Sequence, residues 1–336
     1  MKFLLDNKIF KGIDYYLNNP NEYTTKKKKN SKIECNYVPP CKIELKKSKS
    51  KIIVIGDIHG DLYTLLHALY KASVINIYGK WIGGDTYVVQ LGDQLDKGGR
   101  RMISVDNTMD EIEELKVIEY MHHLHFEAKK NGGGGVFNLI GNHELMNLMG
   151  DFRYATQQHI RGFGGEIQRK KLFEPGGPLA KKLACNTNGV MRIGNWIFVH
   201  AGLLPKHIEN YSIESINNIV RNILLGNLTM DNIDPNIESL IFGKDSLFWN
   251  RFYSKDNESG NDKCNILNKT IDLLHLGNKG GMVVGHTVKD NITSICNNKL
   301  WMADVGMSSA FGNKKNHKER VEILIIHNNG ERFETI

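Results

Sequence analysis

Apolar residues change period along this chain, and the changes mark out its elements. From residue 51 onward, short apolar runs that stop at a glycine alternate with stretches in which apolar positions recur every three or four residues. KIIVIG at 51–56 reads as a strand. LYTLLHALYKAS at 62–73 reads as an amphipathic helix with Asp61 as its N-cap. TYVVQLG at 86–92 is a second strand, and residues 109–131 form a long helix with a charged face that ends at the glycines of 132–135. VFNLIG at 136–141, NWIFVHAG at 195–202, GMVVGHT at 281–287, KLWMADVG at 299–306 and VEILIIH at 321–327 continue the strands. The last of these leads through Asn-Asn-Gly at 328–330 into a terminal hairpin. No internal repeat is present. Alternation early and strands late predict one α/β domain with more than one sheet.

Ahead of residue 51 the pattern differs. Phe3, Leu4, Leu5, Ile9, Phe10, Ile13, Tyr16 and Leu17 fall at helical spacing, which predicts a short helix over 3–17 that Pro20 and a lysine run bring to an end. Pro39 and Pro40 then precede the first strand. The chain divides on this basis into a Lys-rich leader, residues 1–50, and a main domain, residues 51–336.

Composition sharpens that division. Residues 1–51 hold 13 lysines, no arginine and five acidic residues, while the whole chain carries a net charge of only +7, so the basic character belongs to the leader. A solvated lysine-rich segment accounts for this, and residues 26–51 could add a weak contact with nucleic acid or an acidic partner. At 336 residues and 40% hydrophobic the chain can bury a large core, yet no apolar run is long enough for a transmembrane segment. Asp6 and Lys8 interrupt the first apolar residues, so no signal peptide is expected. Cys35, Cys41, Cys185, Cys264 and Cys296 are scattered and odd in number. They predict neither a disulfide frame nor a zinc knuckle, and with that a reducing, intracellular and in the first place cytoplasmic setting.

The chemistry sits where the strands stop. KIIVIG runs into Asp57 and His59, TYVVQLG into Asp93, VFNLIG into Asn142 and His143, NWIFV into His200 and MVVG into His286. Open α/β sheets place ligands at such ends. Oxygen and imidazole donors without thiolate suit manganese, iron or zinc rather than calcium or a structural zinc. Any one of these residues alone reads as an ordinary loop or core group. Five strand ends each carrying a metal-competent residue do not. Asp93 and Asp96, three residues apart in GDQLDKGGR, pose a sharper question, because two acids beside a core strand need partners.

In order, Gly56-Asp57-Ile58-His59-Gly60, Gly92-Asp93 with Asp96, Gly141-Asn142-His143-Glu144, His200-Ala201-Gly202 and Gly285-His286 match the motifs of calcineurin-like metallophosphoesterases. Within them the chain resembles the phosphoprotein phosphatase superfamily, and most closely the bacterial-type Shewanella-like phosphatases. The further cues are GNHELMNLMGDFRY at 141–154, HAGLLP at 200–205, LFWNR at 247–251 and ADVGMS at 303–308. The resemblance spans roughly residues 51–327. It implies an α/β sandwich of two facing mixed β-sheets flanked by helices, with two divalent metal ions at one edge, manganese first and iron or zinc after it. Asp57, His59 and Asp93 would hold one ion, and Asp93, Asn142, His200 and His286 the other. A metal-activated water would attack phosphorus in line, His143 would act as general acid, and Asp96 would orient its ring.

The implied activity is a phosphomonoesterase acting on phosphorylated proteins at Ser, Thr or Tyr. Protein phosphatases usually carry Arg after the second acid, where this chain has Lys97, a point charge without a planar fork. Lys97, Arg100 and Arg251 are therefore the candidate phosphate-binding residues. Two other readings compete. One is a diadenosine-tetraphosphate-like hydrolase built on the same motifs, and the other a non-enzymatic scaffold or nucleic-acid-binding protein that uses the leader.

Overall fold

The computed structural model describes residues 2–10, 13, 34–45, 50–98, 110–255, 259–311 and 320–336. Among them, twelve strands form two six-stranded sheets. The first runs β12 (Arg332–Thr335), β11 (Leu324–His327), β2 (Lys51–Ile55), β3 (Tyr87–Gln90), β4 (Gly135–Leu139), β5 (Thr187–Asn188). Strands β2 to β5 are parallel, and β11 pairs antiparallel with both β2 and β12. The second runs β1 (Lys42–Ile43), β6 (Val190–Ile193), β7 (Trp196–Val199), β8 (Gly281–Val284), β10 (Leu300–Met302), β9 (Thr293–Ile295). There β7, β8 and β10 are mutually parallel, and β6 and β9 run antiparallel to their neighbours β7 and β10.

Strand periodicity of two builds the layers. Met191, Ile193, Trp196, Phe198, Val283 and Trp301 join the core shared with β2, β3 and β4 of the first sheet. Their sequence neighbours Val190, Ile197, Val199, Met282, Val284, Leu300 and Met302 face a second core built with helices. The helices on the first sheet's side are α1 (Leu62–Lys71) and α2 (Glu113–Asn131). Those that follow are α3 (Asn142–Leu148), α4 (Gln157–Gly162), α5 (Glu166–Phe173), α6 (Pro178–Asn186), α7 (Pro205–Ile208), α8 (Ile213–Leu224), α9 (Pro235–Phe242) and α10 (Gly260–Leu273). The central strands β4, β7 and β8 are buried along their whole length, as strands covered on both faces must be. The sandwich expected from the motifs is the fold observed.

Most of the predicted elements form. Asp61 caps α1, its Oδ1 accepting from the Thr64 N–H at 3.0 Å, and the hairpin turns on left-handed Asn328, Asn329 and Gly330. The start of the chain departs from expectation. Among the described residues of 3–17, Asn7–Phe10 forms a 3-10 turn and Ile13 is α-helical, whereas 3–6 are not helical. Tertiary contacts outweigh periodicity there. The Leu4 N–H donates to Ile77 O at 2.9 Å, and the Phe3 ring lies edge-on to Tyr63 and Tyr70. The described leader residues belong to the packed body, with Leu5 and Ile9 against the first core and β1 on the edge of the second sheet. Lysines 26–29, 46, 47 and 49 lie outside the described residues, as does the leader's expected contact with nucleic acid.

The cysteine reading is corrected. Cys35 is bonded to Cys185 and Cys264 to Cys296, leaving Cys41 as the free thiol. The partners stand 150 and 32 residues apart, so only the fold brings them together and local spacing could not reveal them. The expectation of a reducing compartment loses its premise. Among the described residues no helix is long and apolar enough to cross a membrane.

Candidate active site

Five strands, parallel within their own sheets, end at one place. Three of them, β2, β3 and β4, are adjacent in the first sheet and deliver Asp57, His59, Asp93, Asn142 and His143. The other two, β7 and β8, are adjacent in the second sheet and deliver His200 and His286. All are buried except His286, which is partly so. The turns that present them are held in uncommon backbone conformations. His59, Asp93, Asp96 and His286 all have positive φ, between 45° and 70°, a region that costs roughly 1–3 kcal/mol for a residue with a side chain. Glycine permits the close approach of two of these turns: a Cβ on Gly141 would lie 2.1 Å from Asp93 Oδ1, and one on Gly92 would lie 2.6 Å from the Gly141 nitrogen.

Hydrogen bonds on the outer side of the rings decide what faces inward. His200 Nδ1 donates to Leu91 O at 2.9 Å and His59 Nδ1 to Leu95 O at 3.1 Å. A carbonyl can only accept, so in each neutral ring the proton sits on Nδ1 and Nε2 carries a lone pair. His200 Nε2 then meets Asn142 Oδ1 at 2.9 Å, His286 Nδ1 at 3.2 Å and Asp93 Oδ2 at 3.4 Å. The Asn142 amide nitrogen is turned away toward Met146 Sδ, which fixes its oxygen on the inside. His59 Nε2 lies 3.8 Å from Asp93 Oδ2 and 4.0 Å from Asp57 Oδ2. Acceptors converging at such distances repel unless a cation lies among them, and His286 Nε2 is itself buried with no hydrogen-bond partner among the described residues. Two groups of potential ligands result, Asp93–His200–His286 and His59–Asp93–His143, and Asp93 belongs to both. This donor set fits a pair of divalent cations sharing one carboxylate.

The titration behaviour agrees. Burial pushes His200 and His286 below the usual imidazole range, which keeps them neutral and able to ligate. Burial alone would raise the Asp93 carboxyl, but His200, His143 and His59 around it hold it well below the ordinary carboxylate range.

Sequence comparison bears on the same residues. A model of the calcineurin-like phosphoesterase family matches residues 50–290. The chain belongs to this family. Among its relatives is Shewanella-like protein phosphatase 2 of Arabidopsis thaliana, 32% identical over 301 residues that cover 77% of this chain and 71% of that one. Another is Shewanella-like protein phosphatase 1 of Plasmodium berghei, 30% identical over 269 residues, 78% of this chain and 68% of that one. The fold matches the cold-active protein-tyrosine phosphatase of a Shewanella species with a TM-score of 0.65 and 21% identity, over 89% of this chain and 83% of that one. It also matches a serine/threonine phosphatase from Saccharomyces cerevisiae with a TM-score of 0.54 and 15% identity, over 97% of this chain and 89% of that one. The phosphoesterase is a metal-dependent phosphatase.

Other residues of the phosphoesterase complete the picture. His143 Nδ1 donates to Asp96 Oδ2 at 2.7 Å, and its Nε2 faces the site 3.8 Å from Asp93 Oδ2. Its ring packs against Tyr154, 5.1 Å away between centroids. Lys97 is turned to carboxylates, 2.7 Å from Glu113 Oε2 and 3.5 Å from Asp61 Oδ2. Burial would lower its pKa, but these two acids raise it, so it stays charged and is already paired. Arg251 uses Nη1 to donate to Thr287 Oγ1 at 2.6 Å and to His286 O at 3.2 Å, beside the histidines of the site. Arg100 lies outside the described residues.

Sequence reasoning assigned no role to Glu144, whose carboxylate accepts the backbone N–H groups of Asp93, Gln94 and Gly141 at 2.7–2.9 Å and so ties the second motif to the third. Nor did it find Asn147, Glu114 or Arg169 behind Asp96. The first lies within the GNHELMNLMGDFRY segment at 141–154, but the others carry no local signal, since α2 and α5 bring them from elsewhere in the chain.

Proposed function

We propose that this phosphatase is a phosphomonoesterase of phosphorylated proteins, acting on seryl, threonyl or tyrosyl phosphate. The observation that carries the reading is the inward convergence of lone pairs on a shared Asp93, with the His143–Asp96 pair immediately beside it. Two divalent cations held by Asp57, His59, Asp93, Asn142, His200 and His286, manganese first, would supply Lewis acidity toward the phosphoryl oxygens and a water of lowered pKa.

The chain's own groups do the rest. His143, aligned by its Nδ1–H bond to Asp96, presents Nε2 toward the site and delivers a proton to the leaving oxygen. Arg251 holds the phosphoryl group. Both of its hydrogen bonds among the described residues use Nη1, which leaves Nε and Nη2 of a planar fork for phosphoryl oxygens. Lys97, neutralised by Glu113 and Asp61, instead braces the loop. Similarity to Shewanella-like protein phosphatases favours a phosphoprotein over a dinucleoside polyphosphate as substrate.

Turnover of metal-loaded protein on phosphoserine, phosphothreonine and phosphotyrosine peptides, beside diadenosine tetraphosphate, tests the substrate class. Faster turnover of at least one phosphopeptide is expected, and preference for the dinucleotide would reject the reading.

A further inference from the structure

Behind His143, on the side away from the cation-binding lone pairs, lies a buried cluster of charge. Arg169 on α5 has no exposed surface. Its Nη2 donates to Asp96 Oδ1 at 3.1 Å, its Nη1 to Glu114 Oε2 at 2.7 Å and its Nε to Asn147 Oδ1 at 2.9 Å. The guanidinium carbon lies 4.5 Å from the centre of the Phe163 ring and 5.4 Å from those of Phe152 and Phe173. Asn147 donates to both oxygens of Asp96 at 3.0 Å. Glu114 accepts the Asp96 backbone N–H at 2.8 Å and pairs with His159 Nδ1 at 3.0 Å. The carboxylate of Asp96 is therefore gripped on both oxygens, and its backbone is gripped by the same glutamate that Arg169 holds.

Stability alone does not call for such an arrangement, because a buried ionic cluster can often be replaced by apolar groups of similar volume without loss. What the cluster fixes is direction. Asp96 Oδ2 also accepts from His143 Nδ1, and a carboxylate that cannot rotate sets the plane of that ring. We propose that Arg169 is a positioning residue for proton delivery: it fixes the Asp96 carboxylate, and through it the His143 ring, in line with the leaving oxygen. In the step served, the His143 Nε2–H bond breaks and an O–H bond forms on the leaving group as its P–O bond breaks. Asp96 keeps its charge and takes no proton, and the ring recovers its proton from solvent.

This inference rests on His143 as the proton donor, so both are tested in one experiment. Metal-loaded wild type, H143N, R169K and R169M are assayed on 4-nitrophenyl phosphate, whose leaving group needs little protonation, and on phenyl phosphate, whose leaving oxygen needs more. The ratio of the two turnover numbers within one sample does not depend on how much of the protein is folded. H143N is expected to lose about 10²-fold or more on phenyl phosphate and far less on the nitrophenyl ester. Both Arg169 variants should show the same bias, with the phenyl ester falling by roughly 10-fold more than the nitrophenyl ester, because lysine keeps a charge but not the fork. A second readout needs no turnover. In metal-free protein the Nδ1 proton of His143, identified by its disappearance in H143N, should resonate downfield in the wild type and shift or vanish in R169K. Equal losses on both substrates with an unmoved resonance, or no folded protein from either Arg169 variant, would assign Arg169 to the fold alone if H143N still discriminates. An H143N variant without the bias would remove the donor reading, and this inference with it.

Discussion

Asp93 and Asp96 are both buried acids, yet their surroundings differ. Asp93 faces four histidines, His59, His143, His200 and His286, an environment for a cation, whereas Asp96 is gripped by donors from His143, Asn147 and Arg169. Glu144 makes a third case. Burial and the nearby Asp93 push it up to about 7, while the backbone N–H groups of Gly141 and Gln94 pull it down. Away from this site, His207 gives the fold a measurable acid limb. Its Nδ1 accepts from the Leu204 N–H at 3.1 Å and its Nε2 donates to Asp245 O at 2.8 Å, a pattern that only the neutral ring can make. Burial pushes its pKa down to about 4 from an ordinary value of 6.5. Between those values the unfolded chain binds the proton more readily, so the stabilisation is whole above pH 6.5 and is lost as pH falls toward 4. The loss is on the order of 3 kcal/mol. Denaturant titrations at several pH values should show the wild type losing more stability on acidification than His207→Gln, and parallel curves would contradict this.

At the scale of elements, the strands that lead into the site and the turns after them were legible in the sequence because each combines an apolar run with a glycine and a metal-competent residue. The helices after α3 were not. Segments such as 157–162 and 166–173 are short, and the latter carries Ile167 on its exposed face, which blurs the period. The edge strands β1, β5 and β9 have two or three residues each, too few to show alternation. The residues that converge on Asp93 lie at strand ends and so could be picked out in the sequence as candidate ligands, but the support behind Asp96 could not, since Glu114 and Arg169 come from helices far apart in the chain. The disulfides were hidden for the same reason. Cys35–Cys185 joins the leader to α6, and Cys264–Cys296 joins α10 to the turn after β9. Loop-closure entropy assigns these bridges about 5 and about 4 kcal/mol respectively, so reduction should lower the melting temperature. Alkylation of the denatured, unreduced protein should label Cys41 alone, and labelling at all five cysteines would show that the bridges do not form.

For the whole molecule, the consequence of the sandwich is that neither sheet owns the site. The first sheet supplies Asp57, His59, Asp93 and Asn142, the second His200 and His286, and only their packing brings the two sets within reach of Asp93. Cation binding should therefore stabilise the sheet pair as a unit, because ligands fixed in the folded state bind the cations far better than the unfolded chain does. Asp93, common to both ligand groups, is the residue on which this account depends most. The direct test is metal stoichiometry by mass spectrometry after dialysis against manganese, measured with phosphatase turnover for the wild type and Asp93→Asn. Two ions per wild-type chain are expected, with fewer ions and a fall in turnover of roughly 10²–10³-fold in the variant. A variant that kept the wild-type ion count and rate would contradict the shared-carboxylate centre.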